Sequence, residues 1–327
     1  MNPALTHIRE TILSLESSIH ETIIGQDMLV RNVLISLFAG GHILLEGVPG
    51  LGKTLTMKTL AETLDFAFKR ISFTPDLLPM DLIGTEVYDA KHGTFSKRKG
   101  PIFTHILLAD EINRTPPKVQ SALLEAMEEH QVTIGDETMK LDEPFFVIAT
   151  QNPLEHEGTY PLPEAELDRF MMKIIITYPD IESEKQILAT MTKSKEVTKK
   201  PQIEIGDFCE MRDYIREHVL VSDVLIEYVS NILDATRKHS HPATNLPTYQ
   251  PTKVLSYGAS TRAGIALIRT AQVLALLEGR DYILPEDVKT LAHDILRHRI
   301  GLSYESQKQN KSTDDIISAI LDEVKVP

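Results

Sequence analysis

The chain has no tryptophan and one cysteine, and only 6% of its residues are aromatic. A single thiol, Cys209, excludes an internal disulfide, and this suits a reducing compartment. The simplest reading of Cys209 is a small buried apolar side chain. Long apolar runs are missing too. The most apolar stretch, 33–45, is broken by Ser36, Gly40, Gly41 and His42, and it falls short of the ~18 apolar residues a membrane helix requires. The opening MNPALTHIRE lacks the basic-then-apolar pattern of a secretion signal, so a soluble cytoplasmic protein is expected. Positive charge is in deficit: 34 Lys and Arg face 47 Asp and Glu, a net charge of −13. Such a surface has no general attraction for nucleic acid or anionic lipid, and an anionic ligand must be held by local devices.

What is present is a regular alternation. The 327 residues leave room for two domains and a large core. Short apolar runs, HILLEG (42–47), FKRISF (68–73), ILLAD (106–110), FFVIAT (145–150) and KIIITY (173–178), alternate with helix patterns such as Lys53–Leu64 and Pro117–Glu129. Three of these runs are nearly unbroken, as expected of strands buried on both faces of a parallel sheet. Strand and helix in repetition predict a doubly wound α/β domain. Two stretches interrupt it: TEVYD and GTFSK, within 84–100, as one hairpin, and VTIGDETMKL (132–141), alternating around Gly135-Asp136, as another. Beyond Asp180 helix patterns take over at 183–193, 222–237, 263–278 and 285–299, with a proline-rich loop at 239–252. The expected architecture is an α/β core over 1–179, with an N-terminal helix and hairpin inserts, followed by a smaller all-α domain over 180–327.

The strongest chemical signal is Gly47-Val48-Pro49-Gly50-Leu51-Gly52-Lys53-Thr54, followed by Leu55. Glycines let a backbone wrap closely, so that its N–H groups point at phosphate oxygens. A helix starting near Lys53 adds the positive end of its dipole. The Lys53 ammonium then reaches the outer phosphates of a nucleotide and the Thr54 hydroxyl ligates Mg²⁺. The competing reading is a glycine-rich turn without a ligand. Context decides against it, because the motif follows an apolar strand run and opens a helix pattern.

ILLADE supplies the complement: an apolar strand ending in adjacent carboxylates. Asp110 is expected beside Thr54 in the Mg²⁺ shell, and Glu111, pointing elsewhere, as the general base that polarises an attacking water. Hydrolysis of ATP is therefore favoured over transfer to another acceptor. FFVIATQNP ends in Gln151 and Asn152, and Asn152 is a candidate for orienting the water; alone it reads as a strand-ending turn. Phosphoryl transfer also calls for arginine. Arg169 stands in PLPEAELDRF, just before KIIITY, and Arg262 in GASTRAG, after Ser260 and Thr261, either of which can cap the next helix. A cation in a helix's first turn opposes the macrodipole by ~0.3–1 kcal/mol, which a nearby phosphate would offset. Arg114 is a third, weaker candidate. Surface ion pairing is the alternative for each.

Together these residues resemble the AAA+ ATPases and, within them, the MoxR family, over nearly the whole chain. GVPGLGKT resembles the family's Walker A segment, ILLADEINRTPPKVQSALLEAMEE its Walker B region, and ATQNP its sensor 1 segment with Asn152 as the sensor. PLPEAELDRF resembles the segment bearing the arginine finger, which makes Arg169 the residue offered to a neighbouring subunit's nucleotide. GASTRAG is similar to the sensor 2 motif, with Arg262 reaching the γ-phosphate from a helical lid; Thr261 stands where members often carry proline. Ile23-Ile24-Gly25-Gln26 is similar to the segment lining the adenine pocket, and 84–100 to the helix-2 insert. The resemblance implies a homo-oligomeric ring, a hexamer, with Mg²⁺ and ATP at each subunit boundary. It further implies chaperone-like remodelling of a client protein and a partner with a von Willebrand factor A domain.

Other features have bland readings. Arg237-Lys238-His239-Ser240-His241 holds two histidines without further ligands in sight, and Lys97-Arg98-Lys99 reads as a solvated face. Two other functions stay open at this point. One is the motor subunit of a defined enzyme assembly, of the magnesium-chelatase kind. The other is a nucleic-acid motor, against which the acidic balance weighs.

Overall fold

The computed structural model describes residues 2–48, 50–153, 158–191, 203–240 and 254–327. Two helices come first, α1 (Pro3–His20) and α2 (Asp27–Ala39). Asn2 caps α1 by accepting from the Leu5 amide at 2.8 Å, and Pro3 occupies a position that needs no amide. Leu5, Ile8, Ile12, Leu15 and Ile19 recur at steps of three and four and form one buried stripe. The alternating region follows as β1 (Ile43–Glu46), α3 (Lys53–Leu64), β2 (Phe68–Ser72), α4 (Pro79–Ile83), β3 (Gly84–Asp89), β4 (Thr94–Lys99), β5 (Ile106–Asp110), α5 (Pro117–Glu129), β6 (Gln131–Ile134), β7 (Glu137–Lys140), β8 (Phe146–Gln151), α6 (Glu164–Leu167) and β9 (Met172–Ile175).

Five strands form a parallel sheet in the order β2-β5-β8-β1-β9. ILLAD, FFVIAT and HILLEG form its centre as β5, β8 and β1, and their side chains alternate between two cores. Leu44, Leu107 and Val147 pack with Leu123 and Met127 of α5. Ile43, Leu45, Ile106 and Ile148 face α1, α2 and α3. FKRISF, with its two cations, is the edge strand β2, where Lys69 and Arg70 are exposed. Both expected hairpins are present, β3 with β4 and β6 with β7. Gly135 turns the second with a φ of +63°. Lys97 is not merely solvated: its ammonium donates to Asp136 and Glu137, each at 2.8 Å, and so joins the two hairpins.

The C-terminal part comprises α7 (Ile181–Met191), α8 (Ile205–His218), α9 (Asp223–Ser240), β10 (Leu255–Tyr257), α10 (Thr261–Leu277), α11 (Pro285–Leu296), β11 (Gly301–Leu302), α12 (Tyr304–Lys308) and α13 (Thr313–Glu323). It is helical but not all-α, because β10 and β11 pair antiparallel. Strands of three and two residues carry no readable alternation, and their partners lie far apart in the chain. The pattern at 285–299 also stops early, at Leu296. The next three residues turn to bind the sheet domain instead. Arg297 donates to the Lys173 carbonyl at 2.8 Å. His298 meets the Phe170 carbonyl at 2.9 Å. Arg299 donates to the Asp168 carboxylate at 2.8 Å and to the carbonyls of Phe170, Met171 and Ile295. Positions 192–193 and 241–252 of the expected helix and loop, His241 among them, lie outside the described residues; His239 pairs with Glu323 at 2.9 Å. Helices α1 and α2 both pack on α8 and α10, so the N-terminal pair clamps the C-terminal helices to the sheet. No described helix is long and apolar enough to cross a membrane.

His42, at the start of β1, illustrates how tightly this core is wired. Its Nδ1 accepts from the Val147 amide at 3.0 Å and its Nε2 donates to the Met127 carbonyl at 3.2 Å. Full burial pushes its pKa down from 6.5 to about 4. A depressed histidine pKa means the unfolded chain binds the proton more tightly. The stability it contributes is therefore complete above pH 6.5 and is lost as pH falls toward 4, by about 1.4 kcal/mol per pH unit. Denaturant titrations between pH 7 and pH 4.5 should show that loss, and His42→Gln should flatten it. A variant with an unaltered pH profile would remove His42 as its source.

Candidate active site

The cradle lies where β1 ends between β8 and β9, at the carboxyl edge of the sheet. Gly47 must be glycine here, because a Cβ would come within 2.9 Å of the Ile176 carbonyl oxygen. Gly50 and Gly52 have φ of +88° and +77°, and Gly52 starts α3. A Cβ on either would meet no atom within 4 Å, so the concavity beside them is open for a ligand. Val48 packs on the core and Leu51 is buried, while Pro49 lies outside the described residues. The Lys53 ammonium donates to the Gly47 carbonyl at 2.6 Å. Burial lowers its pKa, with Asp110 and Glu111 acting in the opposite direction.

Lys53, Thr54 and Leu55 share a cavity of about 450 Å³ with Asp110, Glu111 and Asn152. Two further members, Arg70 and Thr150, were not singled out from the sequence. Asp110 accepts from Arg70 at 2.5 Å and from the Thr150 hydroxyl at 2.7 Å. Glu111 departs from the strand: its φ of 58° and ψ of 50° are left-handed, a conformation that costs a non-glycine residue about 1–3 kcal/mol. Its amide is held by the Thr150 hydroxyl at 2.9 Å and its carboxylate by Arg114 at 2.8 Å. The bend sends the two adjacent acids in different directions. Thr54 and Asp110, hard oxygen donors that line the same cavity, fit Mg²⁺.

A neighbouring cavity of about 400 Å³ brings Ile24, Gln26, Gly50, Leu51 and Leu55 together with Tyr178 and Leu188. Gln26 donates to the Thr177 carbonyl at 3.3 Å. Gly25, at a φ of +73°, presses against Pro179 and Ser183, which a Cβ would strike at 2.9 and 2.5 Å. An apolar slot opening beside the glycine cradle suits a purine ring. Tyr178 and Leu188 follow β9 without any motif of their own, and only the fold brings them here.

Residues 42–172 match the ATPase family associated with various cellular activities (AAA), and residues 252–320 match the AAA lid domain. The chain is 43% identical to the Chaperone MoxR1 of Mycobacterium tuberculosis, over 96% of this chain and 82% of that protein. It is 30% identical to Protein MoxR of Methylorubrum extorquens, over 99% and 97%. A crystal structure of a candidate ATPase from Cytophaga hutchinsonii matches with a TM-score of 0.90 at 47% identity, over 99% of this chain and 97% of that one. This chain belongs to the MoxR family of AAA+ ATPases.

In this MoxR-family chain the two candidate arginines stand together, away from the cradle. Arg169 pairs with Glu128 at 3.0 Å, and Arg262 pairs with the same carboxylate. Both line a cavity with Glu128, Asp168 and Arg299 that contains neither Lys53 nor Glu111. A second acid lies behind Arg262. Asp168 accepts from Arg299 and from the Ser260 hydroxyl at 2.8 Å, and Ser260 in turn caps α10 by accepting from the Arg262 amide at 3.1 Å. Arg114 is elsewhere, on Glu111 of its own chain.

Proposed function

We propose that this MoxR-family chain hydrolyses Mg-ATP within a homo-oligomeric ring, a hexamer, in which Arg169 and Arg262 of one copy complete the site of the next. The observation that carries this reading is the pairing of both arginines on Glu128, in a cavity separate from the one holding Lys53, Asp110 and Glu111. Each chain thus has a cradle on one surface and a pair of pre-aligned cations on another. Glu128 neutralises those cations until the phosphates of a neighbour's nucleotide replace it.

In the assembled site the glycine amides and Lys53 hold the phosphates, and Ile24, Gly25 and Gln26 border the base. Thr54 and Asp110 hold Mg²⁺, which when bound neutralises charge on the β- and γ-phosphate oxygens. Glu111 takes the proton of the attacking water, and Asn152 orients that water. Arg169 and Arg262 stabilise charge developing on the γ-phosphoryl oxygens. The work goes to remodelling a client protein in the cytoplasm, chaperone-like, with a von Willebrand factor A domain protein as partner. Copurification with a tetrapyrrole-binding subunit would favour instead the magnesium-chelatase kind of motor.

Mixing Arg169→Ala protein with Lys53→Ala protein tests the cross-subunit site. Each alone should be nearly inactive. A one-to-one mixture should recover about a quarter of the wild-type rate, because random assembly sets an intact cradle against an intact arginine at one interface in about four. No recovery, with oligomers present, would show that Arg169 acts within its own chain.

A further inference from the structure

A cavity of about 160 Å³ lies between the C-terminal end of α2, the segment leading into β8, and helices α8 and α10. It shares no residue with the cavities around Lys53 or Ile24. Three arginines line it: Arg212 and Arg216, one turn apart on α8, and Arg269 from α10. Arg212 is partnered, donating to Glu143 at 2.9 Å and to Asp213 at 3.1 Å. Arg216 and Arg269 have no side-chain hydrogen bond or ion pair with any described residue. Arg269 is half-buried as well. Its guanidinium is held below its usual range by burial and then by the charges of Arg216 and Arg212. Three cations thus converge against two carboxylates, among apolar walls that include Phe38, Phe145 and Val273.

A folded chain gains nothing from crowding like charges in a partly dry cavity. An anion placed among them removes the repulsion and supplies the missing acceptors. We propose that this cavity binds a small phosphate-bearing anion, held by Arg216 and Arg269 with Arg212 behind them. Guanidinium groups reach the cavity from two helices, and a tetrahedral phosphate can offer acceptor oxygens to both at once. The site differs from the nucleotide cradle in using side-chain cations rather than backbone amides. Its walls come from the N-terminal pair, the sheet domain and the C-terminal helices, so an occupant ties the three together. Arg269 also borders the cavity of Arg169 and Arg262, which places the site next to the cations proposed to act across subunits.

The test is calorimetric titration of inorganic pyrophosphate into the full chain saturated with Mg-ADP. One saturable binding event per chain is expected, weakened at least about tenfold in Arg216→Gln and in Arg269→Gln, which corresponds to about 1.4 kcal/mol or more. Arg216 is exposed, so its substitution leaves the fold intact, and an unchanged melting temperature verifies that. Glycerol 3-phosphate and inorganic phosphate in two parallel arms separate sources: tighter binding of the former assigns the apolar walls to an organic tail, and weaker binding assigns the site to the free ion. The proposal is overturned if no saturable event occurs, or if both variants bind pyrophosphate as the wild type does. It is equally overturned if Arg216→Gln breaks the oligomer while pyrophosphate binding persists, because the arginines would then serve a neighbouring copy's carboxylates.

Discussion

Glu111→Gln is expected to bind Mg-ATP about as tightly as the wild type and to hydrolyse it about 10²–10⁴-fold more slowly, the range that positioned general-base catalysis supplies. Glutamine keeps the size of the side chain and can still meet Arg114, but it cannot take a proton from water. The geometry makes this residue a better base candidate than its neighbour. Asp110 is committed on both oxygens, to Arg70 and to Thr150. Glu111 has one carboxylate oxygen on Arg114 and is turned out of the strand by its left-handed backbone. Single-turnover rates beside equilibrium binding of a fluorescent ATP analogue would separate the two effects. Normal turnover would remove Glu111 as the base. A loss of binding as large as the loss of rate would make its role one of holding the cradle together.

Arg299→Ala should be the most damaging substitution away from the nucleotide. Only 3% of the Arg299 side chain is exposed, and it donates to Asp168 and to three further carbonyls besides. Burial pulls its pKa down to about 10, with Asp168 acting against that shift. Truncation would take the cation from the Asp168 carboxylate, leaving it only the Ser260 hydroxyl, and would remove donors from several carbonyls. Breaking such a buried pair costs about 3–5 kcal/mol. Chemical denaturation should register that loss. Arg299→Lys should recover only part of it, since an ammonium cannot serve so many acceptors in a fixed plane. The ATPase rate should also fall beyond what stability explains, because Asp168 holds the Ser260 cap of α10, whose first turn carries Arg262, and is the chain neighbour of Arg169. A destabilisation below about 1 kcal/mol would mean that neighbouring groups or water replace the guanidinium.

Both experiments turn on contacts that differ in how far the sequence reveals them. The sheet was legible because its central strands are buried on both faces, and burial leaves an unbroken apolar run. Which strands are edges was not read from the runs: FKRISF carries two cations and KIIITY is largely apolar, yet both lie at edges of the sheet. The cradle was legible because its glycines answer a backbone requirement, met within eight residues. Arg70, Tyr178 and Leu188 belong to no motif, since each reaches one of the two neighbouring cavities from a separate element. Thr150 lies within ATQNP, yet its role shows only through its contacts with Asp110 and Glu111. The short pair β10 and β11 escaped notice because two or three residues carry no periodicity. Helix α11 ends early although its apolar pattern runs on, because Arg297, His298 and Arg299 gain more from the carbonyls of 168–173 than from another helical turn.

By itself the sequence determined which local devices this protein owns: a phosphate-shaped loop, an acid pair closing a buried strand, and cations set near chain turns. These depend on neighbours in the chain, where backbone freedom and residue type act over a few positions. Only the tertiary structure decided which of them meet. Arg169 and Arg262 converge on Glu128, not on Lys53, and Arg212, Arg216 and Arg269 share a cavity, because α8 and α10 are fixed to the sheet by packing between parts of the chain far apart in sequence. Charge placement follows that packing, and no pattern of adjacent residues encodes it.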